Sequence, residues 1–247
     1  MERQLVALLC RTSDRTASGA AGTRELAELL GARIVGSPGE PRTADCVDDL
    51  RDARGCLLEA GGQLDDALDA GRIPILLAPE CSIAISTLPA LVRRHPDARV
   101  LWLDAHADFH TPDTTHSGYL AGMCLAGACG LWDTGFGTGP EPPRVIMHGV
   151  REVDGPERVG LDRGGVHRID DPALLAGFEI FVHLDLDVLD PSVMPAQFPA
   201  DGGLLPAELT AFLDGACAAG SLVGAEITSA APGHAALVAE AIAPLLG

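Results

Sequence analysis

The sequence predicts an α/β fold built on a mostly parallel sheet, and two observations carry that prediction. Short apolar runs alternate with longer helical patterns from one end of the chain to the other, the pattern of parallel strands joined by crossover helices. Glycine and proline gather between those segments, in Ser37–Pro41, Gly135–Pro143 and Pro195–Gly203, and no repeat, low-complexity tract or linker divides the chain. At 247 residues the chain is long for one domain but ordinary for a doubly wound sheet, so residues 1–247 read as a single unit. Hydrophobic residues make up 47% and aromatics only 4%, which leaves Ala, Leu, Val and Ile to fill the core.

In chain order, Leu5–Cys10 reads as the first strand, because Met1–Gln4 is too short and poorly flanked to lead a signal peptide. Arg24–Leu30 has helical spacing, and Arg33–Val35 is a short β-branched run. A long helical pattern over Cys46–Leu68 leads to the apolar strand Ile73–Ala78, and a helix over Ile83–Arg94 leads to the strand Val100–Asp104. Tyr119–Cys129 reads as helix, then Val145–Val150, Val166–Ile169 and Ile180–Asp185 as strands. Pro206 suits the first turn of a helix over Pro206–Ala219. The strand Leu222–Glu226 and the helix Ala235–Leu246 complete the pattern.

Composition excludes several chemistries. All 17 basic residues are arginine, so there is no lysine for a Schiff base, a pyridoxal linkage or a phosphate-binding P-loop. A net charge of −18 with no basic cluster argues against nucleic acid. No apolar run approaches the length of a membrane span. The seven cysteines lack paired spacings and read as mostly buried, reduced thiols of a cytoplasmic protein.

Ligands of doubly wound sheets bind beyond the carboxyl ends of the strands, and two such ends are acidic. Val100–Leu103 runs into Asp104-Ala105-His106-Ala107-Asp108, where a period of two puts Asp104, His106 and Asp108 on one side. Ile180–Leu184 runs into Asp185-Leu186-Asp187-Val188-Leu189-Asp190-Pro191, with Asp185 and Asp187 on one side. Either segment alone reads equally well as capping or turn chemistry. Together, buried and unpaired, four aspartates would repel one another, and cations resolve the conflict. An oxygen-rich donor set with one imidazole favours a pair of manganese ions over zinc, and such pairs activate water for hydrolysis.

These two segments resemble the metal motifs of the arginase/agmatinase family, the ureohydrolases. The resemblance runs from the third strand to the last helix. It implies a three-layer α/β/α fold with an eight-stranded parallel sheet, two Mn(2+) per chain and hydrolysis of a guanidino-type group. Carried over, Asp104 and Asp185 would bridge the metals, His106 and Asp187 would complete one site and Asp108 the other. Asp108 and Asp190 would support catalysis, with Asp190 behind the ligands. A third family motif falls on Ala78-Pro79-Glu80-Cys81-Ser82, which puts Cys81 at a histidine ligand position. The run Thr111–Gly118 resembles the arginase loop that holds an α-carboxylate, assigning His110, Thr115 and Ser117 to it. Arg151–Glu157 resembles the segment whose acids hold the α-amino group, here Asp154 and Glu157.

Two departures set the expected substrate. Ala121 stands where arginases carry a proton-shuttling histidine, and Ser229 where they carry the glutamate that grips the guanidinium cation. Glu226 lies three residues earlier, at a position usually held by a structural Asp. The pattern is most like the branch of the family that hydrolyses Nω-hydroxy-L-arginine, giving hydroxyurea and L-ornithine for D-cycloserine biosynthesis. An N-hydroxyguanidine is less basic and binds neutral. A true arginase with a rearranged site, and a degenerate ureohydrolase that only binds, are the alternatives. The expected partner is a small amino-acid substrate. Arginases of this family often trimerise through a tail after the last helix, whereas this chain ends at Gly247, and with its charge it is expected to be a monomer or weak dimer.

Overall fold

A computed structural model describes residues 1–247. Eight strands form one sheet: β1 (Arg3–Leu8), β2 (Arg33–Val35), β3 (Ile73–Ala78), β4 (Arg99–Leu103), β5 (Val145–His148), β6 (His167–Arg168), β7 (Glu179–Asp185) and β8 (Ser221–Thr228). Every pairing is parallel, in the spatial order β2-β1-β3-β8-β7-β4-β5-β6. The helices are α1 (Ser18–Leu30), α2 (Cys46–Asp52), α3 (Arg54–Asp69), α4 (Ala84–Arg94), α5 (Cys124–Ala128), α6 (Gly155–Gly164), α7 (Pro206–Ala219), α8 (Ala235–Ala241) and α9 (Ala243–Leu246).

Strand side chains alternate between the two faces, and both faces are covered, as an all-parallel sheet requires. Val100 and Trp102 of β4 pack under α3, α4 and α5 through Leu57, Leu64, Leu88 and Leu125. Leu101 and Leu103 face the other layer, where α1, α7 and α8 contribute Leu26, Leu209, Leu213 and Val238. The expected three-layer α/β/α architecture is therefore present. No helix is long and apolar enough to cross a membrane.

Three expected helices differ, each for a local reason. Cys46–Leu68 is two helices, because the buried Ala53 turns its N–H onto the carbonyls of both Asp49 and Arg51 and tightens the chain there. Ala235–Leu246 breaks at Ile242, just before Pro244, which lacks the N–H that would continue the ladder. Tyr119–Cys129 contributes only a 3₁₀ turn over Ala121–Met123 and then α5. The α6 helix has no counterpart among the elements expected from the sequence. Its start carries a capping signal, with the Asp154 carboxylate accepting from the Glu157 N–H. The expectation of seven free thiols is also overturned: Cys10 and Cys56 form a disulfide between the end of β1 and the first turn of α3, leaving five free.

The strand order positions the site. The centre of the sheet runs β3-β8-β7-β4, so Cys81, Ser229, Asp185 and Asp104 all emerge from neighbouring carboxyl ends. Segments more than a hundred residues apart in sequence meet there without any long-range loop having to fold over them.

Candidate active site

The acidic strand ends are shaped by their own backbone. Asp104 Oδ1 accepts from the His106 N–H at 2.6 Å, Asp185 Oδ1 from the Asp187 N–H at 2.8 Å, and Asp187 Oδ1 from the Ala105 N–H at 3.0 Å. The first two shape each segment's own turn, and the third ties the two segments to each other. Arg151 holds the β7 side, its guanidinium donating to the carbonyls of Gly149, Asp187, Val188 and Ala200. Asp108 adopts φ 50°, held there because its carbonyl accepts the first N–H groups of α5, from Leu125 and Ala126. Ser229 adopts φ 62°, and these two are the non-glycine residues of the chain with positive φ. Both line the same cavity. Backbone strain of this kind persists where the surroundings over-determine it, and it clusters at functional sites.

The cavity has a volume of about 360 Å³. Eight carboxyl groups line it, from Glu80, Asp104, Asp108, Glu152, Asp154, Glu157, Asp185 and Asp187, and no arginine does. Burial, then repulsion from Asp187 and Asp108, pushes Asp104 far above the usual carboxylate range. Burial and the charge of Asp185 do the same to Asp108, and burial with Asp187 raises Asp185 to about 6. His106 runs the other way. Burial works against its charge, but hydrogen bonds to Asp104 and Asp187 prevail and push it up to about 12. Its Nδ1 lies 2.9 Å from Asp187 Oδ2 and 3.5 Å from Asp104 Oδ1, so its proton supplies positive charge that these carboxylates otherwise lack.

That deficit is the test of whether the residues fit metal ions, and they do. Asp104, His106 and Asp187 converge within metal-ligand reach, and so do Cys81 and Asp104 with His183. Cys81, at the end of β3, donates to Asp185 Oδ2 at 2.7 Å and lies 3.9 Å from Asp104 Oδ2. Burial and the neighbouring carboxylates hold its thiol well above its ordinary range. A mixed set of carboxylates, imidazoles and one thiol is chemically suited to divalent ions.

The far end of the cavity holds His110, Ser117, Asp154 and Glu157. His110 Nε2 lies 3.4 Å from Asp154 Oδ2 and 3.8 Å from Glu157 Oε2. Glu157 accepts from the Phe109 N–H at 3.0 Å. Thr115 stands just behind, its hydroxyl 3.5 Å from Ser117 Oγ and accepting from the Gly118 N–H. Thr115 and Asp190 are the expected residues that the structure does not bring to the cavity wall; the Asp190 carboxylate accepts from the N–H and hydroxyl of Ser192 in the loop beyond β7. Ala121 and Ser229 line the cavity where a shuttle and a cation grip were expected to be missing, and Ser229 Oγ donates to Asp185 Oδ2 at 2.5 Å.

Tyr119 as a cavity donor, Gln197 and His183 escaped the sequence reading. Tyr119 donates to Glu80 Oε2 at 2.5 Å on the cavity wall, and Gln197 donates to the Tyr119 hydroxyl. His183 and Glu226 are paired below the carboxylates with no solvent exposure. The His183-x-Asp185-x-Asp187 alternation was the available signal for the first of them.

A family model described as the arginase family matches residues 41–243. The chain belongs to the arginase family. It is a hydrolase of amidine C–N bonds. Among curated relatives, this arginase-family chain is 36% identical over 252 residues to an N(omega)-hydroxy-L-arginine amidinohydrolase of Streptomyces lavendulae, covering 96% of this chain and 92% of that one. It is 33% identical to an arginase of Eremothecium gossypii over 196 residues, 69% of this chain and 49% of that longer one. In fold it matches the arginase of Bacillus caldovelox with a TM-score of 0.82 at 22% identity, over 100% of this chain and 98% of that one.

Proposed function

We propose that the chain hydrolyses Nω-hydroxy-L-arginine to hydroxyurea and L-ornithine, using two manganese ions. The observation that carries this is Ser229. Where a guanidinium cation would need a carboxylate, the cavity offers a hydroxyl already turned onto Asp185. Glu80 also lines the cavity, but burial and the charge of Asp14 hold it well above the carboxylate range, and Tyr119 occupies one of its oxygens. A neutral N-hydroxyguanidine avoids the several kcal/mol that burying an unpaired cation costs. The amidinohydrolase of Streptomyces lavendulae supports the same reading.

In this reading Cys81, Asp104, Asp108 and Asp185 would hold one ion, and Asp104, His106, Asp185 and Asp187 the other. When bound, the ions supply Lewis-acid activation of water and of the substrate. The protein supplies placement. Asp154 and Glu157 hold the α-ammonium group, and His110, Thr115 and Ser117 hold the α-carboxylate. A substrate gripped at that end lays its N-hydroxyguanidine across the strand ends, within reach of Ser229. Asp108 orients the attacking water. Asp190 acts through the loop it closes. Water adds to the central carbon, its two protons end on the N-hydroxy nitrogen and on ornithine Nδ, the carbon–Nδ bond breaks, and hydroxyurea leaves. Ala121 has no proton to give, which favours a substrate whose own hydroxyl is more acidic than a guanidinium N–H.

The test is product analysis on manganese-loaded protein with L-arginine, Nω-hydroxy-L-arginine and agmatine side by side. Hydroxyurea and ornithine from the second substrate are expected. Equal release of urea from arginine would return the chain to the ordinary arginases, and no turnover of any of the three would leave a binding protein.

A further inference from the structure

Below the carboxylates, the sheet carries a buried polar row that the proposed chemistry does not use. Trp102 of β4 is the register partner of His183 of β7, which is the partner of Glu226 of β8. Their side chains therefore stand side by side on one face. The His183 ring stacks on the Trp102 indole, 3.5 Å between centroids and 3° between planes. Its Nδ1 donates to Glu226 Oε1 at 2.6 Å, and Thr87 of α4 donates to Glu226 Oε2 at 2.6 Å. With Nδ1 so engaged, Nε2 points up at Cys81 Sγ, 3.3 Å away. The next register row contributes Thr228, whose hydroxyl lies 3.2 Å from the same sulfur.

A buried ionisable pair is no help to stability compared with an apolar pair of the same shape, so its presence in an otherwise apolar face calls for a geometric reason. Cys81 supplies one. Its sulfur turns on a single torsion, and contacts from His183 and from Thr228, whose hydroxyl also donates to Asp185 Oδ2, hold the rotamer that faces Asp104 and Asp185. Outer partners that fix the orientation of a ligating side chain are how proteins tune metal sites.

We propose that Thr87, Glu226 and His183 form a positioning relay that fixes the sulfur of Cys81 for metal binding. The proposal rests on Cys81 being a metal ligand. His183 is a positioning residue: it acts on the metal through Cys81.

The experiment is cobalt(II) substitution of the full chain, read by the near-ultraviolet thiolate-to-cobalt charge-transfer band and by cobalt titration. Wild-type protein should show the band, and Cys81→Ala should lose it. His183→Leu and Glu226→Gln should weaken and shift the band and lower cobalt affinity at that site by roughly 10–100-fold. His183→Gln, which keeps a polar atom facing the sulfur, should recover part of both. Thr87→Val, equal in shape, carries the same test if His183→Leu does not fold. A wild-type band that persists with unchanged energy, intensity and affinity in Glu226→Gln and Thr87→Val would overturn the relay alone. A wild-type protein with no thiolate band would overturn the ligand assignment and the relay together.

Discussion

Ser229 and Cys81 are the two residues on which substrate and metal chemistry turn, and each makes a prediction of its own. Ser229→Glu puts a carboxylate where a guanidinium would bind. The ratio of kcat/KM for hydroxyarginine over arginine should fall by about tenfold or more, the equivalent of ~1.4 kcal/mol; an unchanged ratio would mean that the lost cation grip does not set specificity. Cys81→Ala should empty one manganese site, whereas Asp185→Ala should weaken both, with metal analysis as the readout. Two full equivalents in Cys81→Ala would remove the sulfur from the metal. The carboxylates predict a pH dependence as well. Burial and Asp187 raise Asp185 from 3.8 to about 6, so metal-free protein takes up protons on folding and loses stability as pH rises through that window. Manganese binds the deprotonated forms, so the gain in Tm over an EDTA-treated sample should be larger at about pH 8 than at about pH 5. At this scale the sequence was legible wherever alternation along one strand made the site, as for Asp104, His106 and Asp108. It was not legible across strands: nothing local ties His183 to Glu226, 43 residues away, because only the β7–β8 register brings them together.

Elements position these residues through close backbone packing and one covalent link. The α1 helix approaches the loop after β8 so closely that a Cβ on Gly22 would sit 1.9 Å from the Ala230 carbonyl oxygen. Gly22→Ala should push α1 off the segment that carries Ser229, lowering stability by about 1–3 kcal/mol, the usual range for overpacking, and reducing activity alongside. A variant with wild-type melting and activity would contradict that packing. The Cys10–Cys56 disulfide closes a 46-residue separation and should contribute about 2–4 kcal/mol, which thermal melts of the Cys10→Ser variant would read as a lowered Tm. That pairing was not readable from the sequence, since distant cysteines carry no spacing signal and a chain of this apparent class suggested free thiols. Long periodic elements were readable: Ile73–Ala78 and Pro206–Ala219 fall where the pattern put them. The α6 helix was obscured because its exposed, charged face outweighed its two buried residues, Glu157 and Leu161.

The whole molecule joins a neutral, aromatic-poor core to a strongly acidic exterior and an acidic cavity. A net charge of −18 opposes self-association, so light scattering should report a monomer or weak dimer, and a concentration-independent trimer would contradict that expectation. The parallel sheet explains why so much of the architecture follows from the order of elements: crossover connections leave few ways to arrange eight strands, and four of them bring the chemistry to adjacent ends. In the proposed function, the carboxylates at the strand ends hold metal while Ser229 leaves a guanidinium cation without its partner. The most direct test of that function is kcat/KM for Nω-hydroxy-L-arginine against L-arginine on manganese-loaded protein. A preference for the hydroxylated substrate of about 100-fold or more is expected, ~2.8 kcal/mol in transition-state stabilisation; comparable efficiency on the two substrates would mean that a guanidinium is held as well as its neutral analogue and would overturn the proposed function.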